Sequence, residues 1–122
     1  METFLAIASR RDERRYRPEP LPPASIERLL DAGRLSGASR NRQPWPFVGP
    51  ESRVRVERLA PAVRVPDNIT SAGLVVAIVV YGTGSVLFDA GRAAQSMLLA
   101  AWADGIASCP NGIAAEVLAR DV

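Results

Sequence analysis

The chain has 122 residues, a net charge of +2 and an apolar fraction of 48%, which bound it to one domain with a small core. All of its basic residues are arginine, and it has no histidine, so the commonest general base and metal ligand is missing. The single cysteine, Cys109, excludes an internal disulfide and a Cys-rich zinc site and fits a reducing compartment.

The N-terminus METFLAIASRR places a short apolar run before its charges, the wrong order for an export signal. The most apolar window, Ala72 to Tyr81, is too short to span a bilayer as a helix. A cytoplasmic protein with no membrane partner is therefore expected.

Glu2 to Ser9 reads as a short amphipathic helix, with Phe4, Leu5 and Ile7 as candidate core residues. Arg10, Arg11, Arg14, Arg15 and Arg17 then crowd one segment. The prolines at 18, 20, 22 and 23 predict extended chain from Tyr16 to Leu21. A helix follows from Ser25 to Leu35, with Ala24 or Ser25 near its cap and Ile26, Leu29, Leu30 and Gly33 on one face. Ser36 to Pro44 is a polar loop, and Trp45 to Val48 a short strand bounded by prolines. Glu51 to Leu59 reads as a charged helix and Pro61 to Ser71 as a loop. Gly73 to Tyr81 is a near-continuous β-branched run, read as a strand buried on both faces. Ile106 to Cys109 is a second buried strand candidate, and Ala114 to Arg120 a final helix.

The longest helix runs from Ser85 to Ala103. Leu87, Ala90, Ala94, Met97, Leu98, Ala101 and Trp102 make a broad apolar face, opposite Asp89, Arg92 and Ser96. Small residues between the polar ones imply cover on more than one side. Ser85 or Asp89 is its candidate cap, and Gly105 its stop. Strands interleaved with helices argue for a mixed α/β layer fold, whose few strands need completing by a neighbouring subunit or a missing piece.

Three stretches can carry chemistry. Arg10 to Tyr16 can fork onto phosphate oxygens, or can be a solvated turn of internal Arg–carboxylate pairs. Nucleic-acid binding is disfavoured by Asp12, Glu13 and Glu19 within the cluster and by the near-neutral total. Ser39 to Trp45 offers Asn and Gln groups suited to a heterocycle edge, or is a plain polar loop. Ser108 to Gly112 ends a predicted buried strand, where free backbone N–H groups bind ligands, or is a plain turn. Cys109 reads as a small buried residue, since no histidine is present to activate it. Asp89 with Arg92 reads equally as functional or as a cap and a surface pair.

In order, Arg10-Arg11-Asp12-Glu13-Arg14, the prolines from 18 to 23, Leu29 to Arg34, Asn41 to Phe47, Asp89 to Gln95 and Gly105 to Pro110 resemble the nitroreductase family of FMN-dependent oxidoreductases. The set spans nearly the whole chain. The resemblance implies an α+β fold with a mixed sheet, flanking helices and a long buried central helix, completed by homodimerisation, with FMN at the subunit interface. It implies NADH or NADPH as electron donor and ping-pong hydride transfer through flavin N5 to nitroaromatic, quinone or similar acceptors. The flavin carries the chemistry, so no catalytic side chain and no metal are implied.

By position in the family pattern, Arg10 and Arg11 match phosphate contacts, and Arg14 the basic residue near the flavin pyrimidine edge. Ser39 and Asn41 match contacts from the partner subunit. Pro110, Asn111 and Gly112 match the turn beside the isoalloxazine. Asp12 stands where many members have serine, and the resemblance leaves it to orient Arg11 or Arg14. An Arg-Arg-Asp start also occurs in flavin-cleaving dimethylbenzimidazole synthases, whose loop before Gln-Pro-Trp is not matched by Ser39 to Arg42. The segment between Trp45 and Asp89 is short and implies a reduced lid. Family chains usually continue past the position of Val122, so residues 1–122 are expected to be a C-terminally truncated domain. The alternative function is a non-catalytic flavin-binding or dimerisation module.

Overall fold

The computed structural model describes residues 1–120 and 122. Helix α1 spans Thr3–Ser9, and Glu2 caps it by accepting the N–H groups of Phe4 and Leu5 at 2.9 and 3.0 Å. Its predicted core residues are exposed: Phe4, Leu5 and Ile7 face outward, and only Ala6 is buried. One narrow side of this short helix meets the rest of the chain, fixed where the Trp102 indole donates to Ser9 Oγ at 2.8 Å.

Helix α2, Pro23–Arg34, starts two residues earlier than expected. Pro23 suits the first turn, where no backbone donor is needed, and the Pro22 carbonyl accepts from Ser25 and Ile26. Leu29 and Gly33 are buried. Ser39–Asn41 forms one 3-10 turn before strand β1, Phe47–Val48.

Helix α3, Arg53–Leu59, is capped by Ser52 and runs into a 3-10 turn over Ala60–Ala62. The predicted loop beyond it contains a short helix, α4, Pro66–Thr70. Val56, Leu59, Ala60, Ala62, Val63 and Ile69 bury one another as a compact apolar cluster.

The expected long strand is the clearest departure. Only Ala77–Ile78, strand β2, is in strand geometry, and the run from Leu74 to Val80 is half-buried. β2 pairs antiparallel with β1, Phe47 opposite Ile78 and Val48 opposite Ala77. Val79 and Tyr81 donate onward to the carbonyls of Pro46 and Pro44. Those prolines return no N–H, so the ladder stays short. Ile106 to Cys109 is also not a strand among the described residues; its backbone link is the Glu13 N–H to the Ser108 carbonyl at 3.1 Å.

Helix α5, Val86–Ala103, packs along α2. It ends as expected at Gly105, with φ +73°. The Ile106 N–H reaches the Ala101 carbonyl and the Gly105 N–H that of Trp102, a Schellman closure. Its buried face overlaps the predicted apolar one only in part: Ala101 is buried and Met97 lies against Gly33 of α2, but Leu87 is not covered. Val86, Asp89, Ala93 and Ala101 are buried, whereas Leu87 and Phe88 are 76% and 70% exposed. The small and polar side faces α2 because it allows close approach and its polar groups find partners, Ser96 meeting Ser36 Oγ at 2.8 Å. The central helix is thus covered by α2 along one side and by α1 near Trp102, while Leu87 and Phe88 at its start stay exposed.

Helix α6, Glu116–Arg120, follows an isolated antiparallel bridge between Val63 and Ile113. Among the described residues no helix is long and apolar enough to cross a membrane.

Candidate functional site

The arginine segment begins where α1 stops. Arg10 is the C-cap residue, its N–H bound to the Ala6 carbonyl. Its side chain is 13% exposed and meets Asp12 Oδ1 through Nη2 at 2.7 Å. Its Nε is buried and has no hydrogen-bond partner among the described residues. Arg11 turns back onto the helix end, donating through Nη1 to the carbonyls of Ala8 and Arg10. Asp12 thus pairs with Arg10 rather than orienting Arg11 or Arg14.

Glu13 accepts the N–H groups of Arg14 and Arg15 and the Arg15 Nε, at 3.0 to 3.2 Å. The Arg15 side chain is the main cause holding the Glu13 carboxyl below its usual range, with the backbone N–H bonds adding to it. The cluster is therefore partly the self-paired turn that composition allows. Arg14 has no carboxylate partner among the described residues.

The fold brings this segment to the turn at 108–112. The Glu13–Ser108 backbone bond joins them, and Tyr16 lies close enough to Cys109 for the two to interact electrostatically. Burial pushes the Tyr16 phenol above its ordinary pKa, and Cys109 adds to the shift. Ser108 Oγ, like Arg10 Nε, is buried without a hydrogen-bond partner among the described residues. A cleft of about 370 Å³ beside them is lined by Ser9, Glu13, Trp102 and the chain from Gly105 to Ala107.

The turn itself is pinned from the other side. Asn111 accepts the Val65 N–H at 3.2 Å and donates to the Val65 carbonyl at 2.8 Å. The Gly112 carbonyl accepts the Arg64 N–H at 2.9 Å. A Cβ on Gly112 would lie 3.0 Å from the Arg64 side chain, so glycine lets that arginine lie flat on the turn. The Asn111 amide is thus spent on Val65, the Gly112 carbonyl on Arg64 and the Pro110 carbonyl on the Cys109 thiol, which leaves the N–H groups of Asn111 and Gly112 to meet a ligand. Cys109 sits half-buried, 3.8 Å from the Asn68 amide.

Ser39 and Asn41 lie apart from this site, over the start of α5. The Ser39 N–H donates to buried Asp89 at 3.1 Å, and Asn41 Oδ1 accepts from Gln43 at 2.8 Å. Arg40, Asn41 and Gln43 all have φ near +50°, a cluster of strained backbone. Among the described residues, no hydrogen bond or ion pair joins this loop to the segment from Arg10 to Arg14.

Two unspent buried groups, a guanidinium Nε and a hydroxyl, thus lie on adjoining segments, with an exposed cation at Arg14 nearby in sequence. Such groups suit an anionic, oxygen-rich ligand like a phosphorylated flavin. Sequence reasoning did not carry Ser108 or Tyr16 into the site. Ser108 lies in the stretch 108–112, but its link to the arginine segment is the backbone bond from Glu13, far away in the chain.

Residues 7–66 match the family model described as the nitroreductase family. Over that segment, just under half of its length, the chain is similar to the nitroreductase family. A curated relative in Methanothermobacter thermautotrophicus, provisionally named an NADH dehydrogenase/NAD(P)H nitroreductase, is 28% identical over 120 residues, 93% of this chain and 62% of the relative. A crystal structure from Parabacteroides distasonis, of a protein with the same provisional name, superimposes with a TM-score of 0.79 at 24% identity, over 84% of this chain and 63% of that one. Another, a provisionally named nitroreductase in complex with FMN from Desulfovibrio desulfuricans, gives 0.76 at 28% identity, over 83% and 62%. The chain spans a little over three-fifths of the length of these nitroreductase-family proteins. Their fold is the expected α+β one.

Proposed function

We propose that the chain is an FMN-dependent NAD(P)H oxidoreductase of nitroreductase type, acting on nitroaromatic, quinone or similar acceptors. The observation that carries it is the partly unspent Arg10 guanidinium, its Nε buried, on the segment that Glu13 joins to Ser108. When bound there, FMN supplies two-electron chemistry, hydride passing at N5 from NADH or NADPH to the acceptor in ping-pong order.

Residues of the arginine segment and of the turn at 108–112 have distinct parts in holding that group. Arg10 offers its remaining N–H donors to the phosphate monoester, and Arg11 adds those not spent on helix carbonyls. Arg14 presents a cation to the pyrimidine edge, where it stabilises negative charge on the ring. The backbone from Pro110 to Gly112, pinned by Asn111 on Val65, forms a firm wall along the ring.

The functional unit proposed is a homodimer. The exposed Leu87 and Phe88 of α5 are large apolar groups that a second copy would cover. In that arrangement Ser39 and Asn41 reach the partner's flavin, which accounts for their distance from Arg10 within one protomer. A cytoplasmic setting, where Cys109 stays a thiol, fits both cofactors.

The test is the visible spectrum of the purified chain after FMN is added and free flavin removed by gel filtration. Retained flavin that NADH or NADPH bleaches without oxygen is the expected result. A colourless protein overturns the proposal, and retained flavin that neither nucleotide bleaches reduces it to a flavin-binding module. Replacing Arg10 and Arg14 by alanine should weaken FMN retention; unchanged affinity would show the site to be misplaced.

A further inference from the structure

We propose that Asp12 is a positioning residue, holding the Arg10 guanidinium in the pose that receives the phosphate of FMN. This rests on the flavin site proposed above and assigns a role to a carboxylate that would otherwise be out of place beside a phosphate.

Asp12 Oδ1 lies 2.7 Å from Arg10 Nη2, a close ion pair. Arg11 donates to the carbonyls of Ala8 and Arg10, and Glu13 holds the Arg15 side chain. Arg14 has no carboxylate partner among the described residues, and the guanidinium that Asp12 holds is that of Arg10. Asp12 is 39% exposed, so its charge is partly solvated, whereas Arg10 is 13% exposed. A carboxylate on one edge of a planar guanidinium fixes its orientation and leaves the other N–H groups to a second anion. The buried, unpartnered Nε is one such group. The guanidinium is then preorganised, and the ligand need not freeze a long flexible side chain on binding.

Riboflavin and FMN share ring and ribityl chain and differ by the phosphate. Their affinities, read by quenching of flavin fluorescence, isolate the phosphate contribution. The unaltered chain should prefer FMN. Asp12→Ala should lower that preference about tenfold, the loss of one charged hydrogen bond, with riboflavin affinity unchanged. Asp12→Asn keeps an oxygen acceptor in the same shape and should retain most of the preference. Riboflavin binding also reports folding, and if Asp12→Ala loses both flavins the isosteric Asn variant decides. Retained preference in Asp12→Asn supports positioning by the hydrogen bond. Tighter FMN binding in either variant shows that Asp12 acts by repulsion and overturns the proposal. A preference for FMN that survives Asp12→Ala overturns this role alone. A chain that binds both flavins equally, or neither, overturns the phosphate site and this role with it.

Discussion

Asp89, in the first turn of α5, is 1% exposed and accepts the backbone N–H of Ser39 at 3.1 Å. Ser85 Oγ lies 3.4 Å from the same oxygen, and Arg92 Nη1 lies 4.0 Å from the other. One carboxylate thus ties the loop at 36–43 to the start of the longest helix, where negative charge also suits the helix dipole. Replacing Asp89 by alanine leaves the Ser39 N–H unpaired in a part-buried place. The expected cost is about 2–3 kcal/mol by chemical denaturation, with Asp89→Asn losing less because an acceptor remains. An alanine variant as stable as the parent would show the contact to be incidental.

That contact also shows where sequence pattern stops being informative. The ends of α5 were legible: Gly105 does close it, and the small residues among its polar ones do mark a packed side. Which side packs was not. Periodicity groups Leu87 with the broad apolar face and sets Asp89 opposite it, yet Asp89 is buried and Leu87 exposed. The preference for α2 is set by close approach and by hydrogen bonds to Ser36 and Ser39, residues some fifty to sixty positions away. Strand length failed for a related reason. The β-branched run to Tyr81 has the composition of a buried strand, but the proline-flanked β1 cannot return the N–H groups a longer ladder needs. In the candidate site, the residue types at 10–14 and 108–112 were legible. The pairing of Arg10 with Asp12, and of Asn111 with Val65, depends on geometry that spacing does not encode.

Close approach of α2 and α5 makes Gly33 a sensitive position. A Cβ there would lie 2.8 Å from both Met97 Sδ and the tip of the Phe47 ring. Alanine favours the helix by about 0.5–1 kcal/mol. Overpacking against two side chains at once costs about 1–3 kcal/mol. Gly33→Ala should therefore destabilise by about 1 kcal/mol and lower Tm by a few degrees. The β1–β2 ribbon, reached through Phe47, should lose amide protection more than α3 does. A rise in Tm would show that Met97 and Phe47 move aside freely.

Tyr16 provides a pH-dependent readout of the junction between the arginine segment and the turn at 108–112. Burial raises its pKa first, Cys109, Glu13 and Asp12 add to the rise, and Arg14 opposes it. A phenol whose folded pKa is raised contributes stability that is complete below its unfolded value, about 10. That stability is lost as pH climbs through the folded value. The chain has two tyrosines, so a Tyr81→Phe background isolates the signal. Phenolate absorbance in that background should rise with a midpoint above the ordinary value, and return to it in denaturant. Tyr16→Phe should flatten the alkaline fall in stability. An ordinary midpoint in the folded protein would place Tyr16 in solvent, away from Cys109.

The two-way bond between Asn111 and the Val65 backbone couples the turn at 108–112 to the start of α4. Alanine at 111 removes both bonds. Val65 is 44% exposed, so water takes over part of each, and the expected loss is about 1 kcal/mol. The local effect should be larger than the global one. Backbone amides from Arg64 to Asn68 should exchange faster, while those of α5 keep their protection. Asn111→Asp keeps the acceptor for the Val65 N–H but sets a carboxylate against the Val65 carbonyl, so it should exchange at least as fast as the alanine variant. If Pro110 to Gly112 meet the flavin through backbone alone, Asn111→Ala should weaken FMN and riboflavin equally by loosening the wall. A loss confined to FMN would instead place the Asn111 side chain at the phosphate, against the geometry found here.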